Sequence, residues 1–305
     1  MSSISLTAAH SHSKESLDMG TATNFQKSTG LASLDICIST KDFGTTWLKA
    51  LCFAIQTRTI THEKSNPLLS KLPHLLVPFL QVDLAENPKN GDLDHNLLPL
   101  FSTHMPYTSL PESIQKSGSK IIYICREPKA TLTSYAHFSN KMRMNNDSEA
   151  TLIQQHRLQD SFQQFCEGKC PGGPYWDHVL GYWKASLERP DAVLFLKYEG
   201  LKKDILLHIR KMAEFMGRPF SAEEEEHGVP QKIADMFSFD NLSSVDVNKN
   251  GKHRLSASVE IPNSAYFRKG TGDDWKNHLT QEMIQTVDQI TQQKLLGSNL
   301  SFGLV

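Results

Sequence analysis

The sequence predicts an α/β fold: one domain with a central parallel sheet flanked by helices. Short aliphatic or β-branched runs alternate with longer amphipathic segments, which is the pattern of βαβ units covered on both faces. Each short run ends in polar or turn-forming residues, as strands do at the ligand-bearing edge of an open sheet. The 305 residues are 39% hydrophobic and 21% charged, an ordinary globular composition rather than a disordered one.

In chain order, residues 1–30 are rich in Ser, Thr and His and carry no apolar core of a secretory signal, so they read as a flexible tail before a folded domain over 31–305. A plastid-type transit leader is the other reading, opposed by the lack of Arg and by Glu15 and Asp18. Strands are expected at Leu34–Ser39, Leu97–Ser102, Lys120–Cys125 and Ala192–Lys197. A helix over Thr45–Arg58 follows from Trp47, Leu48, Leu51, Ala54 and Ile55, which share one face. Another opens at Pro128, whose fixed φ and missing N–H suit a first helical position. Further helices are expected at Ser148–Cys166, Tyr175–Leu187, Glu199–Met216, Ala222–Met236 and Thr280–Leu295. The glycine- and proline-rich stretch Cys166–Pro174 should be a loop. Asn241–Tyr266 lacks a regular apolar period, so it predicts a long loop or strap over the sheet.

Thirty-two Lys and Arg against 33 Asp and Glu leave a net charge of −1, which excludes a whole-chain field for nucleic acid or an anionic membrane. Any anion must be held locally. The greasiest run, Leu68 to Leu84, is broken by Lys71, Pro73, His74, Pro78, Gln81 and Asp83, so no membrane span is expected. Five cysteines, an odd count without a Cys-x-x-Cys pair, argue against a disulfide framework or zinc site and for a reducing, cytoplasmic location. The sequence sets no oligomeric state.

Ligands of open parallel sheets bind beyond the carboxyl ends of the strands, and four such places carry polar groups. After the first strand, Gly44, Thr45 and Thr46 open a helix, offering first-turn N–H groups and two hydroxyls to an anion. Thr45 as a simple cap with Trp47 in the core is an equal alternative. After the second, His104 stands in Thr103-His104-Met105-Pro106, where a near-neutral imidazole can act as a general base or merely fill the interior. After the third, Arg126 and Ser134 can grip one phosphate together, unless Arg126 pairs with Glu127. After the fourth, Tyr198 can stack on a base or pack in the core. Near the end, Arg268-Lys269-Gly270-Thr271-Gly272 makes a basic loop able to close over an anion, or an exposed basic turn.

Together these motifs resemble the cytosolic sulfotransferase family, its plant members in particular, from about Leu31 to the C-terminus. The resemblance is carried by Gly44-Thr45-Thr46-Trp47-Leu48-Lys49-Ala50-Leu51, Ser102-Thr103-His104-Met105-Pro106-Tyr107, Cys125-Arg126-Glu127-Pro128-Lys129 with Ser134, Trp176-Asp177-His178-Val179-Leu180-Gly181-Tyr182-Trp183, and Arg268-Lys269-Gly270. It implies an α/β fold with a P-loop-like phosphate site and transfer of a sulfuryl group from 3′-phosphoadenylyl sulfate (PAPS) to a hydroxyl of a small organic acceptor, without a metal. His104 would be the base. Gly44, Thr45, Thr46 and the first-turn N–H groups would hold the 5′-phosphosulfate, and Arg126, Ser134, Arg268, Lys269 and Gly270 the 3′-phosphate. Trp47, Tyr198, Ser238 and Phe239 match positions lining the adenine pocket.

The chain departs from the family pattern in three places. Asp42 stands where the family carries a lysine two residues before the glycine, with Lys41 displaced by one. Asp273 stands where the later loop has its second glycine. Residues 1–30 do not resemble the family's segment before the first strand. Asp42 and Asp273 favour an alternative, a non-catalytic PAPS- or PAP-binding protein of the same fold, PAP being 3′-phosphoadenosine 5′-phosphate. A nucleotide kinase is disfavoured by the missing Walker A lysine and magnesium carboxylate.

Overall fold

Four parallel strands form the sheet: β1 (Ile36–Thr40), β2 (Leu100–Thr103), β3 (Lys120–Cys125) and β4 (Val193–Lys197), in the order β2-β1-β3-β4. Ile36 of β1 aligns with Leu100 of β2 and Lys120 of β3, and Ile121 with Val193 of β4. The computed structural model describes residues 36–40, 44–61, 65–80, 100–116, 118–143, 151–256 and 259–302. From β1 the chain goes first to one neighbour and then to the other, so the crevice expected of an open sheet lies beyond the carboxyl ends of β1 and β3. Both strands are followed by candidate site residues.

Alternation along β3 builds two cores. Ile122 and Ile124 face a cluster with Leu48, Leu51, Ile209 and Met212, whereas Ile121, Tyr123 and Cys125 face one with Trp176, Val179, Tyr182 and Val287. Both faces are covered, as the near-continuous apolar strands require. The helices are α1 (Thr45–Thr57), the single-turn α2 (Pro73–Leu76), α3 (Glu112–Lys116), α4 (Pro128–Arg143), α5 (Thr151–Cys166) and α6 (Tyr175–Glu188). After β4 come α7 (Tyr198–Lys203), α8 (Ile205–Phe215), α9 (Ala222–Glu226), α10 (Val229–Met236), α11 (Phe239–Ser244), α12 (Asp246–Asn250) and α13 (Gln281–Leu295). Among the described residues no helix is long and apolar enough to cross a membrane.

Three expectations need correction. The helix predicted over Glu199–Met216 breaks at Asp204, which leaves the helical region (φ −140°, ψ 80°) and caps α8 by accepting from the Leu207 N–H at 3.0 Å. The one predicted over Ala222–Met236 breaks at Gly228, in the left-handed region at φ 65°. Asn241–Tyr266 is not a structureless strap. It holds the end of α11, α12, an antiparallel hairpin of β5 (Lys252–Ser256) and β6 (Val259–Pro262), and a 3-10 turn over Asn263–Tyr266. Its order comes from polar side chains that an apolar-period search passes over. Asn248, fully buried, donates to the Leu242 carbonyl at 2.8 Å, and Asn263 donates to the Val247 carbonyl at 2.7 Å. Residues 1–30, 34, 35, 97–99 and 148–150 lie outside the described residues. Cys52, Cys125, Cys166 and Cys170 are free thiols.

Candidate active site

A cavity of about 510 Å³ opens at the carboxyl edge of the sheet. Eleven of the twelve residues predicted to bind cofactor, together with His104, line it. Ser238 does not. Its hydroxyl instead caps α11, accepting from the Asn241 N–H at 3.3 Å.

At the end of β1, Gly44 takes φ 100° and begins α1. A methyl group there would meet Ile124 at an ordinary 3.5 Å, so backbone conformation rather than space selects glycine. A glycine N-cap brings no capping oxygen of its own, which leaves the first turn facing the cavity. Trp47 donates its indole N–H to the Phe237 carbonyl at 2.8 Å, and its ring meets Tyr198 edge-on at 5.6 Å. Lys41 and Asp42 lie outside the described residues.

At the end of β3, Arg126 is 9% exposed, and burial lowers its pKa from the ordinary guanidinium value. It donates to Ser134 Oγ at 2.9 Å and to the Thr271 carbonyl at 2.6 Å, and its carbon Cζ lies 4.8 Å from the centre of the Tyr198 ring. Its buried Nε has no hydrogen-bond partner in the structure. The anticipated ion pair with Glu127 is replaced by another arrangement: Glu127 pairs with Lys129 at 3.1 Å and accepts from the Ala130 N–H at 2.9 Å. A desolvated guanidinium bonded to neutral oxygens, with one donor orphaned, is a site shaped for an anion.

The last loop supplies more positive charge. Asp274 accepts from Lys269 at 2.9 Å, from His278 at 3.0 Å, from Asn277 at 3.2 Å and from Arg268. Burial alone would raise the carboxyl pKa of Asp274, but hydrogen bonds from Lys269 and Arg268 outweigh it and hold the group well below the usual carboxylate range. Asp274, His137 and His278 bring possible ligand atoms within 4.8 Å of one another. Four donors already occupy that carboxylate, and a metal ion would sit against two fixed cations, so the chemistry opposes a metal there. Gly270 is held by its carbonyl, which accepts from Lys202 at 2.7 Å and from Tyr198 at 3.4 Å. At φ 65°, a Cβ on Gly270 would stand 2.5 Å from the Phe239 ring, so here both conformation and space demand glycine.

At the end of β2, His104 lines the cavity with its ring 4.8 Å from Phe79. Its backbone is fixed from behind: the His104 carbonyl lies 3.2 Å from Nε2 of buried His178, and Nδ1 of His178 lies 3.0 Å from the Tyr123 hydroxyl. Tyr182 donates to the Met105 carbonyl at 2.8 Å. The motif Trp176–Trp183 therefore acts as a clamp on the His104 loop, a use that spacing alone did not reveal. Sequence reasoning also missed His74, Phe79, Phe138 and Tyr266, which are part of the lining. Their one signal was that His74 interrupts the greasy run before β2.

The sulfotransferase domain family matches residues 36–299. The chain is 45% identical over 257 residues to flavonol 3-sulfotransferase of Flaveria bidentis, covering 84% of this chain and 80% of that one. It is 44% identical over 284 residues to cytosolic sulfotransferase 5 of Arabidopsis thaliana, covering 92% and 85%. The crystal structure of an Arabidopsis thaliana sulphotransferase superposes with a TM-score of 0.65 at 34% identity, covering 92% and 83%. Retinol dehydratase in complex with androsterone and the inactive cofactor PAP shares the fold, at TM-score 0.66 and 18% identity over 88% and 82%. The chain belongs to the sulfotransferase family. Its class of reaction is PAPS-dependent transfer of a sulfuryl group to a small-molecule acceptor.

Proposed function

We propose that this cavity catalyses transfer of the sulfuryl group of PAPS to a hydroxyl on a flat aromatic acceptor, with His104 as the base. The observation that carries the reading is convergence: His104, the Gly44–Thr46 turn and the Arg126–Ser134 pair line one cavity although they follow three different strands. PAPS supplies the activated sulfuryl group. His104 takes the proton from the acceptor hydroxyl as its oxygen bonds to sulfur, and the sulfur–oxygen bond to the 5′-phosphate breaks, releasing PAP. Thr45, Thr46 and the first turn of α1 stabilise charge gathering on the leaving phosphate. Arg126, Ser134, Arg268, Lys269 and Gly270 hold the 3′-phosphate, while Trp47, Tyr198 and Phe239 enclose the base. No metal is needed in these roles.

The acceptor class follows from the aromatic part of the lining. Phe79 packs beside His104, Phe138 and Tyr266 line the same cavity, and burial pushes the Tyr266 hydroxyl up to about 12, so it stays a neutral ring. Aromatic walls favour a stacked planar ligand. Relatives named for flavonols and for a cytosolic location agree with a phenolic acceptor and a cytoplasmic enzyme. His104→Ala tests the base: turnover with a flavonol should vanish while PAP affinity changes less than about threefold. Retention of most of the wild-type rate would disprove the role.

Asp42 favours a second reading, a weak or non-catalytic nucleotide-binding protein. A preorganised cation at that position is worth roughly 3–4 kcal/mol in the transition state, on the order of a hundred- to a thousandfold in rate. Asp273, the other altered position, is not part of the cavity lining, so the structure lends it no repulsive role. The double change Lys41→Pro with Asp42→Lys should raise turnover. No gain with an acceptor shown to bind would reject the claim that the loop is impaired.

A further inference from the structure

We infer that Lys49 and His74 form a buried relay that fixes the proton of the Thr46 hydroxyl, turning it outward as a donor to the anion in the cavity. The inference rests on the assignment of Thr46 to the phosphosulfate. Nζ of Lys49 lies 2.9 Å from Nδ1 of His74, and Nε2 of the same ring lies 3.0 Å from Thr46 Oγ1. Lys49 is fully buried, with its ammonium 3.6 Å from the centre of the Phe79 ring, and His74 is 7% exposed.

The proton positions follow from valence. An ammonium can only donate, so Nδ1 of His74 must accept, and the proton of a neutral imidazole then sits on Nε2. That N–H donates to Thr46 Oγ1. The hydroxyl has one proton, and with its oxygen already accepting on the buried side, that proton is left for the cavity, which Thr46 lines. Reversing the chain would need a neutral lysine and would turn the Thr46 proton inward, away from any phosphate. Burial favours that reversal, whereas the Phe79 face, the imidazole acceptor and the negative charge of a bound nucleotide oppose it. His74 itself stays neutral: burial and then the charges of Lys49, His253 and His104 hold its pKa well below the ordinary value. Lys49 and His74 are thus positioning residues that act through Thr46.

The test is a double-mutant cycle read as PAP affinity by calorimetry, which needs no acceptor. Lys49→Met and Thr46→Val should each weaken PAP about tenfold, the scale of a hydrogen bond to a charged group. In the Thr46→Val background, Lys49→Met should weaken it less than about twofold further. His74→Leu should match Lys49→Met. His74→Gln should recover most of that loss, because one amide can accept from Lys49 and donate to Thr46. Equal cost of Lys49→Met with and without the Thr46 hydroxyl, or no recovery with Gln, would overturn the relay but leave the phosphate cradle standing. Wild-type affinity in Thr46→Val would overturn both. If Lys49→Met melts below the assay temperature, the cycle of His74→Leu with Thr46→Val decides in the same way.

Discussion

The two sources of positive charge proposed to hold the 3′-phosphate are built differently. Arg126 sits at a strand end, buried, on the neutral oxygens of Ser134 and Thr271. Arg268 and Lys269 sit in a loop and are both bonded to Asp274, whose side chain is only 3% exposed. A guanidinium stripped of water and given no carboxylate gains most when an anion arrives. Loop cations that already share a carboxylate gain less, since part of what they give the phosphate is withdrawn from Asp274. Under the proposed assignment Arg126 is the affinity element, and the loop is held in shape by its own ion pairs.

The largest effect that can break this comparison is Arg126→Ala. PAP binding should fall roughly ten- to a hundredfold, the range of a charge-assisted pair, while AMP, which lacks the 3′ group, should change less than about threefold. Calorimetry with both nucleotides decides it. Equal losses would mean that Arg126 shapes the pocket rather than reading the phosphate. Arg268→Ala should cost PAP affinity clearly less than Arg126→Ala, and the reverse ranking would assign the dominant grip to the loop.

Gly270 sharpens the account of the loop. Alanine there meets Phe239 and an unfavourable backbone region together, a strain on the order of 1–3 kcal/mol. Gly270→Ala should lower PAP affinity several-fold and reduce the melting temperature by a few degrees. Gly272→Ala, with open space around it, should do neither. A shift of similar size in both variants would show that loop flexibility, not the Phe239 contact, selects glycine.

The sheet and the site were legible to different depths. Strands β3 and β4 were readable almost to the residue, because a strand buried on both faces is apolar throughout and ends at its first polar residue. Gly44, His104, Arg126 and Tyr198 were readable as candidates because each follows a strand end, whereas Arg268, Lys269 and Gly270 were readable only as a basic loop with glycine. Breaks at Asp204 and Gly228 were not, since a helix interrupted by a cap keeps its apolar period on both sides. His178, Tyr123 and His74 were invisible as site parts for a further reason. They act through hydrogen bonds between residues 25 to 74 positions apart, and no local pattern records a partner at that distance.

The smallest effect is a slope in stability with pH, and it too separates the two regions. His137 lines the cavity near the loop, packed edge-on against His278 at 4.6 Å. Burial, then the charges of Arg268 and His278, lower its pKa from 6.5 to about 4. A histidine depressed in the folded state stabilises the fold fully above its unfolded value. That contribution is lost as pH falls, because the unfolded chain takes up the proton first. The melting temperature should therefore decline between pH 6.5 and about 4, and His74, depressed by burial at the phosphate cradle, adds to the decline. His137→Gln should flatten part of it and leave the melting temperature at pH 8 nearly unchanged. Asp274 adds to the decline only toward the acid end of this window and below it, where the unfolded carboxyl takes up a proton while the folded one stays ionised. If the slope in His137→Gln equals that of the wild type, the cations of the loop do not act on His137, and the pH dependence above that acid end belongs to the cradle.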